Sequence, residues 1–236
     1  MSKISHEKWK VWGNVFDEHA LADIYKLITQ GYFERLCSPI SVGKEANIFT
    51  AEKKDGSFVI VKIYRLESCN FNKMYDYIKY DPRYENLKKQ RRKVIFAWTQ
   101  REYRNLLKAR QAEVRVPTPL TAINNIIVME YMGDDKKIAE KLKDNAPKDI
   151  EMFFEKTIEY IRLLYKKAGI VHGDLSSYNI LNYNDEPVFI DFSQGTIKRN
   201  QMAEELLERD IKNVCNYFVK KGMKIDVEKV LKQIRK

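Results

Sequence analysis

Asp174, Asn179 and Asp191 are the residues of this chain whose types and spacing could do chemistry. Asp174 and Asn179 lie five positions apart in HGDLSSYNIL, and Asp191 directly follows the apolar run Val188-Phe189-Ile190. One loop thus offers a carboxylate base and an amide oxygen, and the end of the next strand offers a second carboxylate. Oxygen donors of this kind suit a hard cation such as magnesium, completed by water and phosphate. Two further charges sit where charge is costly. Lys62 interrupts the apolar stretch FVIVKIY, and a buried ammonium needs a partner. Glu102 falls four after Trp98 and four before Leu106, in the apolar stripe of a helix predicted over roughly Lys89 to Ala109. A carboxylate there is unfavourable unless a cation meets it.

Several elements must position these groups. Ile170-Val171 and Val188 to Ile190 read as strand pieces flanking the Asp174 loop. A long helix starts at Pro147, presents Ile150, Phe153, Ile158, Ile161 and Leu164, and ends at Gly169. It delivers the chain into His172, read as a hydrogen-bonded structural residue. Ile40 to Ile63 reads as successive strands, with Ser41 to Ala51 and Phe58 to Tyr64 joined by the turn Lys53-Lys54-Asp55-Gly56. Ahead of them, Asp17 can cap a helix whose apolar face is Leu21, Ile24, Leu27 and Ile28. Gly31 suits its end, and Tyr32, Phe33 and Leu36 continue an apolar pattern, predicting a helical extension packed on the segment after it. Ile126 to Met129 reads as a buried strand running into Glu130-Tyr131-Met132-Gly133. Ile138 to Leu142 predicts a short helix, and Met202 to Phe218 and Asp226 to Ile234 predict two more.

Composition bounds the class. The 236 residues suffice for one large domain or two lobes. No apolar run approaches the length that spans a bilayer, so no membrane partner is expected. The N-terminal MSKISHEKWKVW lacks the apolar core of a signal peptide. Cys37, Cys69 and Cys215 cannot all pair and read as reduced thiols of a cytoplasmic protein. Without Cys pairs, a structural zinc site is not expected. Net charge is +10, and Arg65 to Arg110 carries 13 Lys/Arg against 5 Asp/Glu. Such a patch favours a polyanionic partner. Tyr75, Tyr77, Tyr80 and Tyr84 interleave with basic residues there, a pattern that suits either a solvated loop or a grip on single-stranded RNA.

Asp174-Leu175 with Asn179, then Asp191-Phe192, resembles the protein-kinase set H-R-D-L-x-x-x-N and D-F-G. Gly173 replaces the Arg, Ser176 stands where a Lys is usual, and Ser193 replaces the last Gly. H-G-D-L-S-x-x-N and D-F-S-Q resemble the RIO family of atypical kinases, and S-S-Y-N-I-L its first subfamily, in a compact archaeal-like form. The resemblance runs from about Ser41 to Phe218. It implies an α+β, bilobal protein-kinase-like fold with a small β-rich N-lobe and a helical C-lobe, preceded by the helical extension. After Asp191 only a short link and two helices are read, so the activation segment and the peptide-docking subdomains are expected to be missing, as in that family.

By the same resemblance the domains are expected at 1–36 (extension), 37–129 (N-lobe, including a mobile basic loop about 68–90), 130–133 (hinge) and 134–236 (C-lobe). Asp174 is the expected base. Asn179 and Asp191 are the expected metal ligands, Asp191 also counting as catalytic. Lys62 is expected to hold ATP phosphates and to pair with Glu102, Glu113 being the alternative carboxylate. Ser41, Val42, Gly43 and Lys44 form the hairpin over the phosphates, of whose usual glycines only Gly43 survives. Lys44 either adds a point charge there or is simply solvated. Met129 backs the adenine, the backbone of Glu130 and Met132 bonds its edge, and Ser176 completes the nucleotide-contacting set. The implied cofactors are ATP and Mg2+, with Mn2+ as an alternative metal. The implied function is a serine/threonine kinase in small ribosomal subunit maturation, with precursor RNA as a suspected partner and the protein substrate open. Two alternatives stand beside it: an ATPase switch controlling release from pre-ribosomes, with a variant in which Asp191 takes phosphate transiently, and a nucleotide-gated RNA-binding protein without turnover.

Overall fold

The computed structural model describes residues 18–134 and 137–236. The first element is helix α1 (Glu18–Thr29). Its expected cap, Asp17, lies outside the described residues. Three strands come next, β1 (Arg35–Val42), β2 (Ala46–Glu52) and β3 (Phe58–Tyr64). Leu36 therefore belongs to a strand and does not continue the helix, because Gly31 turns the chain at φ 79°. Strands β4 (Pro119–Ile123) and β5 (Ile126–Glu130) complete an antiparallel sheet of order β1-β2-β3-β5-β4.

Alternation along β3 decides what each face of the sheet meets. Val59, Val61 and Ile63 join Ala20, Ile24 and Leu27 of α1 in one apolar cluster. Ile60 and Tyr64 join a second cluster with Val94, Ile95 and Trp98 of helix α3 (Arg91–Gln111). Lys62 shares that second face. Its intrusion into an apolar strand is thus explained by the helix it looks at.

The segment expected as a mobile loop about 68–90 carries regular structure. It forms helix α2 (Phe71–Ile78), capped by the Asn70 side chain, and a short 3-10 turn at Pro82–Tyr84. Met74 and Ile78 are buried against α3 and the sheet. The Tyr-rich composition that suggested a loop hides an i, i+4 apolar pair.

The second lobe carries short strands β6 (Gly133–Asp134), β7 (Lys137–Ile138) and β8 (Glu140–Lys141). The short helix expected at 138–142 is therefore absent. Leu142 N–H instead donates to Ile180 O at 2.8 Å, extending a ladder in which β8 pairs with β10 (Ile180–Tyr183). Helix α4 (Ile150–Leu163) is capped by Asp149 and runs through a π turn (Leu164–Ala168) to Gly169 at φ 65°. Strands β9 (Ile170–Val171), β11 (Glu186–Phe189) and β12 (Thr196–Ile197) complete the strands of this lobe, and helices α5 (Ala203–Lys220) and α6 (Val227–Arg235) close the chain. Their inward residues form one core with Leu175, Phe189 and Phe192. Among the described residues, no helix is long and apolar enough to cross a membrane.

Candidate active site

Lys62 is where the two lobes meet chemically. Its Nζ donates to Glu102 Oε1 at 2.8 Å and to Asp191 Oδ1 at 3.0 Å. Tyr64, two residues along the same strand face, donates its hydroxyl to Glu102 Oε2. Both oxygens of a carboxylate only 1% exposed are therefore satisfied. Glu113, the alternative partner, pairs with Lys167 on the surface instead. Burial alone would lower the Lys62 ammonium, but the Asp191 and Glu102 carboxylates raise it well above its ordinary value. Asp191 shows the reverse balance: burial opposes its charge, yet Lys62 and a Ser193 bond hold it down at about 2. Its side chain is 42% exposed, so the face away from Lys62 is open to a ligand.

Asp174 and Asn179 lie on the loop between β9 and β10. Asn179 Nδ2 donates to Asp174 O at 2.8 Å and to Asp174 Oδ2 at 3.2 Å. The amide nitrogen is thereby fixed toward Asp174, which turns its oxygen away from that contact. Burial, and then the charge of Asp191, raise the Asp174 carboxyl above its ordinary value. A raised carboxyl is a better proton acceptor once ionised. His172 is structural, as its sequence context suggests. It bonds Ile190 O through Nε2 at 3.0 Å and accepts from Asp174 N–H through Nδ1 at 3.3 Å. Burial pushes its pKa down to about 4, so the ring is neutral.

The departures from ordinary kinase motifs have local reasons. Gly173 sits at φ 80°, and a Cβ there would lie 2.9 Å from Gln194 O. The catalytic loop and the turn after Asp191 touch backbone to backbone, which excludes an Arg. Ser193, in place of the glycine, is buried beside Asp191 and helps hold its carboxyl down.

The remaining expected site residues lie on β1, β5 and the loops beside the site. Ser41 and Val42 end β1, and Gly43 and Lys44 turn the chain into β2, with Gly43 N–H donating to Ala46 O at 3.0 Å. Ile60 pairs with Met129 and Lys62 with Ile127, so Met129 lies two residue pairs from Lys62 on the neighbouring strand. The Glu130 side chain is committed: it receives Arg115 at 2.8 and 3.0 Å and Thr118 Oγ1 at 2.6 Å. Despite burial, these bonds hold its pKa at about 2. The Met132 carbonyl accepts from Ala139 N–H at 2.8 Å. Ser176 Oγ accepts from Tyr178 N–H at 3.3 Å.

Four supporting residues escape motif reading. Asp210 accepts from Gly173 N–H at 2.7 Å and Leu175 N–H at 2.8 Å, gripping the catalytic loop from α5. Its signal was present: a carboxylate beside Leu206, Leu207, Ile211 and Val214 on an inward helix face, the same anomaly as Glu102. Arg101 and Asn105 of α3 hold carbonyls of the turn after Asp191. Arg115 braces the segment after β5. Among the described residues no three His, Cys, Asp or Glu cluster as a metal cage. Asp191 and Asn179 nevertheless fit magnesium, which keeps waters and takes few protein oxygens beside phosphate.

A family model described as the RIO domain matches residues 47–230. The chain is 40% identical over 220 residues to a RIO-type serine/threonine-protein kinase Rio1 of Haloferax volcanii, covering 93% of this chain and 76% of that protein. It is 38% identical to a Rio1 kinase of Methanocaldococcus jannaschii, covering 97% and 78%. Among solved structures, the Rio2 kinase-ADP/Mg2+-phosphoaspartate complex from Chaetomium thermophilum superposes with a TM-score of 0.67 at 19% identity, over 89% of this chain and 64% of that one. The chain therefore belongs to the RIO family of atypical kinases, and within it to the Rio1 type.

Proposed function

We propose that the protein is a magnesium-dependent atypical serine/threonine kinase that transfers the γ-phosphoryl group of ATP. The observation that carries this reading is the three-way contact of Lys62 with Glu102 and Asp191, beside an Asp174 whose carboxyl is raised. In this reading Asp174 accepts the proton of a seryl hydroxyl as its oxygen bonds phosphorus and the bond to ADP breaks. Lys62, steadied by Glu102, contacts the α- and β-phosphates. Asp191 and Asn179 would hold Mg2+ (or Mn2+), which would supply positive charge to neutralise the charge developing on the phosphates. The turn from Ser41 through Val42, Gly43 and Lys44 covers the phosphates, with Ser176 below. Met129 backs the adenine, and the backbone of Glu130 and Met132 meets its edge. Three free thiols suit the reducing cytoplasm. The net charge of +10 supports work on a ribosomal precursor of the small subunit.

A second reading is favoured by one observation: the Asp191 carboxylate is ionised, partly exposed and next to the transfer site. It would then take the phosphoryl group itself and pass it to water, making the protein an ATPase switch. Incubation with γ-labelled ATP, with and without small-subunit precursor RNA, separates the readings. Label on protein that survives hydroxylamine is the kinase outcome. Hydroxylamine-labile label lost in Asp191→Asn, with phosphate release, is the switch. Neither label nor release would leave only nucleotide-gated RNA binding.

A further inference from the structure

We propose that Asp81 is a positioning residue for Asp191, acting through Arg101 and Arg83 on the turn at 192–195. The proposal rests on the phosphoryl-transfer reading of Asp191. Asp191 has φ 62° and ψ 65°, a left-handed conformation that a non-glycine residue keeps only when its surroundings impose it. The surroundings are specific. Arg101, 1% exposed, donates from Nε to Gly195 O at 2.9 Å and from Nη2 to Gln194 O at 3.2 Å. Asn105 Nδ2 donates to Phe192 O at 3.1 Å and Gly195 O at 2.7 Å. Together the two α3 side chains hold three carbonyls of the turn that begins at Asp191. A Cβ at Gly195 would lie 2.7 Å from Asn105 Nδ2, so the sequence leaves space for this grip.

Neither side chain is aimed by α3 alone. Asp81, fully buried, stands 3.6 Å from Arg101 Nε and takes Arg83 Nη2 at 2.6 Å. Arg83 Nη1 in turn donates to Asn105 Oδ1 at 3.0 Å. That bond fixes which end of the Asn105 amide faces the turn, because its oxygen is taken and its nitrogen must point to Phe192 and Gly195. The Arg101 guanidinium also lies over Trp98 at 5.2 Å. The segment that carries Asp81 is tied down independently, by Asn200 Nδ2 to Tyr80 O at 3.2 Å. A buried carboxylate facing two guanidiniums is costly unless every group is met. Here the carbonyls at 194 and 195 take Arg101 Nη2 and Nε and the Asn105 oxygen takes Arg83 Nη1, while Arg101 Nη1 is left without a hydrogen-bond partner. The chain of contacts thus runs from the turn after α2, through α3, to the residue that pairs with Lys62 and would hold the metal.

Asp81→Asn keeps the shape and removes the charge. Arg83→Gln is a second variant at a partly exposed site, and Lys79→Ala in the same segment is the control. Two readouts apply to each folded protein. The first is amide hydrogen exchange of residues 192–195, which does not depend on any activity. The second is the Mg2+ concentration giving half-maximal phosphate turnover, together with kcat and KM for ATP. In Asp81→Asn and Arg83→Gln, exchange at 192–195 is expected to quicken, and the Mg2+ midpoint to rise about tenfold, as for lost supports of a metal ligand. The loss should fall on kcat and not on KM for ATP, and Lys79→Ala should match the wild type. Unchanged exchange at 192–195 would overturn the proposal. Faster exchange with an unmoved Mg2+ midpoint would also overturn it, leaving only a structural role. If Asp81→Asn fails to fold, Arg83→Gln decides on the same criteria. A wild type without turnover would sink the phosphoryl-transfer reading itself, and exchange would then judge the grip on the turn by itself.

Discussion

Asp191, Lys62 and His172 show how individual groups are tuned by what surrounds them. His172 is neutral because burial outweighs the Asp191 charge nearby. The unfolded chain takes up this proton near pH 6.5, and the folded protein only near 4. Between those values the unfolded state binds more protons, so stability falls as the pH falls through that window. The loss from this one group should approach about 3 kcal/mol by pH 4. Urea unfolding from pH 7 to 4 checks it, and His172→Gln should flatten that limb. Residues of this kind were legible in the sequence where their chemistry was anomalous for their setting. Lys62 and Glu102 stood out as charges within apolar patterns, and they pair. Asp81 did not stand out, because it occupies an ordinary turn, Asp81-Pro82-Arg83, and only the fold brings Arg101 to it.

At the scale of elements, β3 and α3 form the unit that sets the site. Strand alternation puts Lys62 and Tyr64 on one face, and the helix stripe brings Glu102 to both. Removing the carboxylate breaks a buried pair. Glu102→Ala should therefore destabilise the protein by about 3 kcal/mol, at the low end for such breaks because Lys62 keeps Asp191. Chemical unfolding of the variant beside the wild type measures it. The long amphipathic elements were readable, because α3, α4 and α5 carry full apolar stripes. Three features were not. Helix α2 is short and Tyr-rich, and its burial depends on α3. Strand β1 begins at Arg35, where Phe33 and Leu36 fit either period. Strands β7 and β8 are two residues each and owe their form to their partners, β6 and β10 respectively, which no local periodicity records.

At the scale of the whole molecule, charge is arranged as well as chemistry. Lys88, Lys89, Arg91, Arg92 and Lys93 crowd the start of α3, whose first turn holds no acidic residue. Cations at a helix N-terminus oppose its dipole, so the cluster is there for solubility or for an anionic partner, two readings that salt dependence separates. Arg91 is partly committed, donating to Glu67 O at 2.6 Å, and the other four are the better anion contacts. If they meet RNA, binding should weaken with salt by a log–log slope of roughly −0.7 per neutralised phosphate. Neutralising the five should flatten that slope and leave ATP binding intact. Filter binding to small-subunit RNA at several salt concentrations reads both, and an unchanged slope would remove RNA from this segment. Above all, the proposed function has both lobes contribute to one phosphoryl-transfer site, with Asp174 as its base. Turnover and nucleotide binding of Asp174→Asn, measured on the same folded sample, bear on that assignment without an intermediary. The expected result is a fall in kcat of about 10²- to 10⁴-fold, the usual worth of a general base, with ATP affinity retained. Turnover at the wild-type rate would contradict it.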